Sequence, residues 1–210
     1  MKTIIILRHG TTEGIEKGQL QGSTDSPLSP RGQQEAQLTA DALKTRSIKA
    51  CFCSPLGRAR ETAEIICKPL GIKPVILEDL REYDFGWLEG HHYFKPPAFN
   101  SSIFVKLKSL ARLSLASVSG ESMPHIRQRA RTVWKYLLEQ TLEGEYLIIT
   151  HGFFTNVFFR ELMRETPEFK NKIFDVNACG LTEIELEGNH PILLRLNDTS
   201  HLKELKKNVH

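Results

Sequence analysis

Two histidine–glycine steps carry the chemical promise of this chain, Arg8-His9-Gly10 and Thr150-His151-Gly152. Each follows a short apolar run, residues 3–7 and 145–149. An imidazole at the end of a strand sits where open α/β sheets bind ligands. The glycine behind it lets the backbone turn and come close to that ligand. Thr11 and Thr12 add hydroxyls to the first loop, and a helix start after Gly152 would offer backbone N–H groups to an anion. One such tripeptide also reads as a surface loop with an incidental histidine. Two of the same form, each ending a strand, favour function.

A third constellation is Ser54-Pro55-Leu56-Gly57-Arg58-Ala59-Arg60-Glu61-Thr62-Ala63. It puts Arg58 at the start of a helix beyond a strand end, where its guanidinium can fork onto phosphate oxygens. Arg60, two positions on, points elsewhere around the helix and reads as a solvated charge. The fourth, Leu80-Arg81-Glu82-Tyr83-Asp84-Phe85-Gly86-Trp87-Leu88-Glu89-Gly90, is aromatic and acidic. Glu82, Asp84 and Glu89 compete there for the role of a proton donor. Asp84 and Glu89 read equally as salt-bridge partners of nearby arginines.

The elements that must position these residues alternate. Residues 3–7 read as a buried strand. Ser29 caps a helix with Pro30 at its first position and Ala36, Ala40 and Leu43 on its apolar face. Strands are expected at 49–53 and 74–77, with a helix at 57–67 ended by Pro69 and Gly71. Met123, Ile126, Ala130, Val133 and Leu137 mark a helix over 122–140. A strand over 145–150 and a helix over 153–164 follow. Residues 181–186 and 192–196 predict a final hairpin around Gly188-Asn189. The pattern predicts an α/β fold of three layers: a mostly parallel central sheet with an antiparallel edge and helices on both faces.

The composition agrees. The chain has 210 residues, 40% apolar and 25% charged, which excludes disorder and low-complexity architecture. A net charge of +3 does not argue for nucleic acid. No segment has the roughly eighteen apolar residues of a membrane span, and the N-terminus does not read as a signal peptide. A cytoplasmic location is the expectation. The four cysteines, Cys51, Cys53, Cys67 and Cys179, form no CxxC pair, so zinc is not expected and buried reduced thiols are. Nothing in the sequence sets an oligomeric state.

Taken in order, these elements resemble the histidine phosphatase superfamily, the phosphoglycerate-mutase-like proteins, over nearly the whole chain. Arg8-His9-Gly10 matches the family's opening. Residues 54–63 match Ser-x-Leu-x-Arg-Ala-x-x-Thr-Ala, and Glu82 matches its glutamate before an aromatic-glycine stretch. Gly120-Glu121-Ser122 and His151-Gly152 match its later elements. The resemblance implies a single domain and a phosphohistidine mechanism with no metal or cofactor. His9 would be the nucleophile. Arg8, Arg58 and His151 would surround the phosphate of a small phosphorylated substrate. Glu82 would protonate the leaving oxygen and then deprotonate water. Thr11, Gln21, Gly22 and Gly152 would complete the phosphate site.

The family divides between mutases and phosphatases. The mutases open with Arg-His-Gly-Glu-Ser-x-Trp-Asn; here Thr11-Thr12 and Gly14-Ile15 stand in those places, and Ile15 cannot make the contact of an asparagine. The stretch 20–29 is closer to the phosphatase branch, which includes alpha-ribazole-phosphatase-like and broad-specificity members. A mutase, or a protein that binds phosphorylated ligands without turnover, is the alternative. Residues 91–120 hold no Asp or Glu but carry Lys95, Lys106, Lys108 and Arg112 among aromatics. They read as an insertion over the pocket with a helix at 103–116, or as an amphipathic helix facing water, or as a partner- or membrane-surface helix. His91 and His92 follow Gly90 and read as incidental loop residues or, less favoured, as contacts at the pocket rim. His125, His190, His201 and His210 read as surface residues, and the tail from Leu202 as a frayed basic helix.

Overall fold

The computed structural model describes residues 2–91, 120–140, 143–164 and 174–207. Strand β1 (Lys2–Arg8) runs through the middle of the molecule. Ile4 and Ile6 face one side of it, Ile5 and Leu7 the other, and all four are buried. A strand covered on both faces has no polar alternation, which is why it reads as a continuous apolar run. The other strands are β2 (Ile48–Cys53), β3 (Val75–Ile76), β4 (Gly144–Thr150), β5 (Leu181–Glu187) and β6 (His190–Asp198). Their order in the sheet is β3-β2-β4-β1-β5-β6. β1 to β4 are parallel to their neighbours within that set, and β5 and β6 add the antiparallel edge. The expected two-residue turn closes that hairpin, with Gly188 at φ 61°, a conformation that favours glycine.

Helices α2 (Pro30–Leu43) and α3 (Gly57–Cys67) cover one face. Ala36, Ala40, Leu43, Ala59, Ala63 and Ile66 pack there against Ile5, Leu7, Leu147 and Ile149. Helices α4 (Met123–Glu139) and α5 (Gly152–Leu162) cover the other. Ile126, Ala130, Val133, Phe154 and Phe158 pack there against Ile4, Ile6 and Ile148. Each fully buried Ile, Leu, Val or Phe among them contributes roughly 2 kcal/mol of transfer free energy. A single turn, α1 (Glu13–Glu16), lies in the loop after β1, and α6 (Lys203–Lys207) follows the last strand. The sheet is the three-layer, mostly parallel one that the sequence predicts.

The departures are local. β3 is only two residues long and exposed at the sheet edge. His201 is half-buried rather than on the surface, 3.0 Å from the Thr39 hydroxyl. The four cysteines are buried free thiols. The expected insertion lies outside the described residues between its ends, His91 and Gly120, as do His92 and His210.

Register positions the site. Arg8 pairs with Thr150, and Cys53 with Ile149, so β1, β2 and β4 end at one level. The next amides tie the loops together: His9 N–H donates to the Thr150 carbonyl at 2.9 Å, and Ser54 N–H to that of Ile149 at 3.0 Å. The loop after β1 lies on the start of α2, where any side chain at Gly32 would run into the Thr11 backbone. Ser29 serves both parts. Its hydroxyl accepts from Gly32 N–H at 3.2 Å and donates to the Thr11 carbonyl at 3.3 Å. Ser29→Ala removes that cap and should cost about 1–2 kcal/mol. The urea midpoint should fall with an unchanged slope; an unchanged midpoint would refute the assignment.

Candidate active site

His9 is buried. Its Nδ1 lies 2.7 Å from the Gly10 carbonyl oxygen, which can only accept, so Nδ1 carries the hydrogen. That leaves the lone pair on Nε2, which accepts from Arg58 Nε at 3.2 Å. Burial first, then the charges of Arg58 and Arg8, hold the imidazole well below its ordinary pKa of 6.5, against the opposing bond to Gly10. The ring is therefore neutral near pH 7, with its basic nitrogen turned toward the Arg58 guanidinium.

Arg58 occupies the second position of α3 and is held by the loop after β1. Its Nη2 donates to the Gly22 carbonyl at 2.7 Å, and its Nη1 to the Thr24 carbonyl at 2.8 Å and to Asp25 at 3.1 Å. Asp25 also accepts the N–H groups of Gly57 and Arg58, capping α3. Glu89 fixes the same loop by accepting from Ser23 N–H at 2.8 Å and Thr24 N–H at 2.7 Å. Burial alone would raise the Glu89 carboxyl, but these amides hold it below its usual value. Gly22 is required by this close approach, since a side chain there would meet Glu89 and the Tyr83 carbonyl.

His151 faces His9, with ring centroids 5.1 Å apart, close to the spacing of the neighbouring strands that carry them. Its Nε2 is 2.7 Å from the Ser54 hydroxyl. Leu56 N–H takes one lone pair of that hydroxyl at 3.3 Å, and Nε2 is the one acceptor for its proton among the described residues; with the proton given there, the imidazole hydrogen sits on Nδ1. Nδ1 is buried and has no hydrogen-bonding partner among the described residues; the same holds for Arg8 Nε. Arg8 is anchored by Nη1 on the Val176 carbonyl at 3.1 Å. Burial, then Arg58, His9 and Arg8, keep His151 neutral as well. Two adjacent strand ends thus present buried N–H donors suited to an oxygen-rich anion.

Glu82 follows the short β3 segment and is buried. Phe154 N–H donates to its Oε1 at 2.9 Å, Phe153 N–H to its Oε2 at 3.0 Å, and its neighbour Tyr83 N–H to Oε1 at 2.8 Å. The start of α5, expected to hold a ligand anion, is thus filled by a carboxylate of the protein itself. Burial raises the Glu82 carboxyl above its ordinary value, and the three amides and Arg58 only partly offset it. Gly152 lies beneath Arg8, where an added side chain would sit 3.5 Å from Nε.

The remaining expectations fare differently. Thr11 turns both its N–H and its hydroxyl onto Glu35, each at 2.8 Å, so these donors are committed within the protein rather than to a phosphate. The Gln21 side-chain carbonyl accepts from the Thr12 hydroxyl at 2.7 Å, and the Gly22 carbonyl from Arg58. Arg60 is exposed, and Asp84 caps its own turn through Gly86 N–H. Glu35, Asp25 and Arg129 were not visible as parts of the site. Arg129 had one signal, a charge three residues after Ile126 on the apolar face of its helix. Among the described residues no group of three or more His, Cys, Asp or Glu could hold a metal ion, and no helix is long and apolar enough to cross a membrane.

The family model of the histidine phosphatase superfamily (branch 1) matches residues 4–199. The chain belongs to that superfamily. A protein of Hydrogenobacter thermophilus named as a phosphoserine phosphatase is 32% identical over 209 residues, covering 98% of this chain and 100% of its own. A protein of Yersinia enterocolitica named as a phosphoglycerate mutase is 25% identical, covering 96% and 95%. The crystal structure of the phosphoserine phosphatase of Entamoeba histolytica in complex with 3-phosphoglyceric acid superposes with a TM-score of 0.74 at 26% identity, covering 96% of this chain and 100% of that one. The relatives of this histidine phosphatase are named for both phosphatase and mutase activity.

Its two buried histidines set a pH response. The folded state holds both below 6.5, so the unfolded chain binds more protons under that pH and stability falls as pH drops through it. Linkage gives about 1.4 kcal/mol per pH unit for each histidine. Glu82, raised above 4.5, opposes this where it takes up its proton in the folded state. Urea midpoints should fall from pH 7.5 to pH 5.5, and His151→Asn should flatten that dependence. An equal slope in the variant would contradict the assignment.

Proposed function

We propose that the chain hydrolyses small phosphomonoesters through a phosphohistidine on His9, with Glu82 as the acid and base and no metal. The observation that carries this reading is the His9 ring itself: neutral, its tautomer fixed by Gly10, and its Nε2 lone pair turned to Arg58. Phosphoryl transfer is largely positioning and charge stabilisation. An arriving phosphate brings oxygen acceptors to Arg8 Nε and His151 Nδ1 and takes over the Arg58 Nε–H, releasing the lone pair for attack. The N–P bond forms as the P–O bond to the alcohol breaks, and Glu82 gives its proton to the leaving oxygen. Water, losing a proton to Glu82, then attacks phosphorus and returns His9 and inorganic phosphate. Arg8, Arg58 and His151 hold the equatorial oxygens throughout. Gln21, Gly22 and Gly152 act through the backbone and side chains they hold around the site, and residues 91–120 select the substrate as part of the same single domain.

Phosphoserine is the substrate to test first, since a relative and a structural neighbour of this length are named for it. Hydrolysis is favoured over mutase chemistry because Ile15 offers no hydrogen-bonding side chain beside the first loop. With EDTA present, wild type should release phosphate from phosphoserine and from p-nitrophenyl phosphate. Rapid acid-free quenching should trap an acid-labile phosphoenzyme. His9→Ala should lose at least about a thousandfold in kcat/KM and all of the label. Product isomerisation of 3-phosphoglycerate without phosphate release would establish a mutase instead, and an active His9→Ala would overturn the mechanism.

A further inference from the structure

Arg129 lies on α4, outside the cluster of His9, Arg8, Arg58 and His151, yet it is buried and its donors converge on one short segment. Nη1 donates to the carbonyl oxygens of Asp79 at 2.7 Å and Arg81 at 2.9 Å, and Nη2 to that of Glu82 at 3.3 Å. Glu121, from the segment before α4, holds the guanidinium in that pose, with Oε1 2.7 Å from Nε and Oε2 2.6 Å from Nη2. Glu121 is itself gripped by His125 at 2.6 Å and, through its N–H, tied to the Asp84 carbonyl at 2.9 Å. The opposite surface of the guanidinium packs on the Phe154 ring, 5.2 Å from its centroid. Phe154 N–H is one of the donors that fix the Glu82 carboxylate.

We infer that Arg129 is a positioning residue for Glu82: it clamps the backbone that carries this carboxyl and the helix start that orients it. The inference rests on the acid role of Glu82 proposed above. A bidentate arginine on a carboxylate that also reaches three carbonyls is a planar arrangement that a lysine cannot reproduce. A shift of about 1 Å in an acid that must meet a leaving oxygen is costly to the chemical step and not to ground-state binding.

The test compares leaving groups. Nitrophenolate departs without a proton, whereas the alkoxide of phosphoserine needs one. Glu82→Gln should lose roughly a hundredfold in kcat on phosphoserine and far less on p-nitrophenyl phosphate. Arg129→Lys should show the same selectivity, about tenfold on phosphoserine against less than about threefold on p-nitrophenyl phosphate, with KM nearly unchanged. Combined with Glu82→Gln it should add little, because both act on one step. Glu121→Gln, which keeps the shape and drops the charge, should reproduce the selectivity in milder form and serves if Arg129→Lys does not fold. Equal losses on both substrates in the Arg129 and Glu121 variants, with Glu82→Gln selective, would overturn the inference alone. A Glu82→Gln without selectivity would remove the acid role and the inference with it.

Discussion

The contact on which the structure turns is the bond between His9 Nδ1 and the carbonyl of its own neighbour, Gly10, at 2.7 Å. It decides which ring nitrogen is basic, and so in which direction the histidine can react. The charge of the ring is decided separately, by burial beside Arg58 and Arg8. Both conditions depend on the loop after β1 keeping one shape. The Thr11 carbonyl accepts from Ser29, Gly10 N–H donates to the Thr62 hydroxyl at 3.1 Å, and Thr11 is locked onto Glu35. That Thr11 serves the loop rather than a ligand follows from this. A hydroxyl spent on fixing the nucleophile's loop has no proton left to offer elsewhere.

Such a site is not made for stability. Arg8 Nε and His151 Nδ1 are buried donors without an acceptor among the described residues, and each such group costs on the order of 1–3 kcal/mol. The surrounding sheet, packed on both faces by the four long helices, offsets that cost. The arrangement is tolerable because the unmet donors share one sign and one direction. Together they are complementary to an anion with several oxygens, which is what the proposed phosphate site requires.

The parts legible in the sequence are those whose signal is local. The apolar run of β1, the Ser29 cap, the Gly188 turn and the two strand-ending histidines each declare themselves within a few residues. The five short motifs at 8–10, 54–63, 82, 120–122 and 151–152, taken in order, point to the family. What was not legible is long-range. Glu82 meets Phe153 and Phe154 some seventy residues away, and Arg129 reaches back nearly fifty to the Asp79–Glu82 segment. No window along the chain joins these partners. The helix start after His151 was readable as an anion site, but sequence carries no mark that the anion would be the protein's own carboxylate. Asp84 and Glu89 looked like ion-pair partners, yet backbone amides take them, because turns 22–24 and 84–86 bring N–H groups closer than any arginine side chain.

The capture of Glu82 by α5 bears directly on how one carboxyl can act twice in the proposed cycle. Three amides favour its ionised form, while burial favours the neutral one and prevails. A phosphate entering beside it adds negative charge, which tips the balance further toward the protonated acid. The proton needed by the leaving oxygen is therefore held more firmly on Glu82 when a substrate is present than when the site is empty. Once that proton is given away, the carboxylate returns to three waiting N–H donors, and the ionised form is the one they stabilise. The same residue is then a base placed for water. The alternation of roles needs no movement of the side chain, only a change in the charge next to it. That is why the rigidity of the segment, rather than any flexibility, is the property the fold supplies around Glu82.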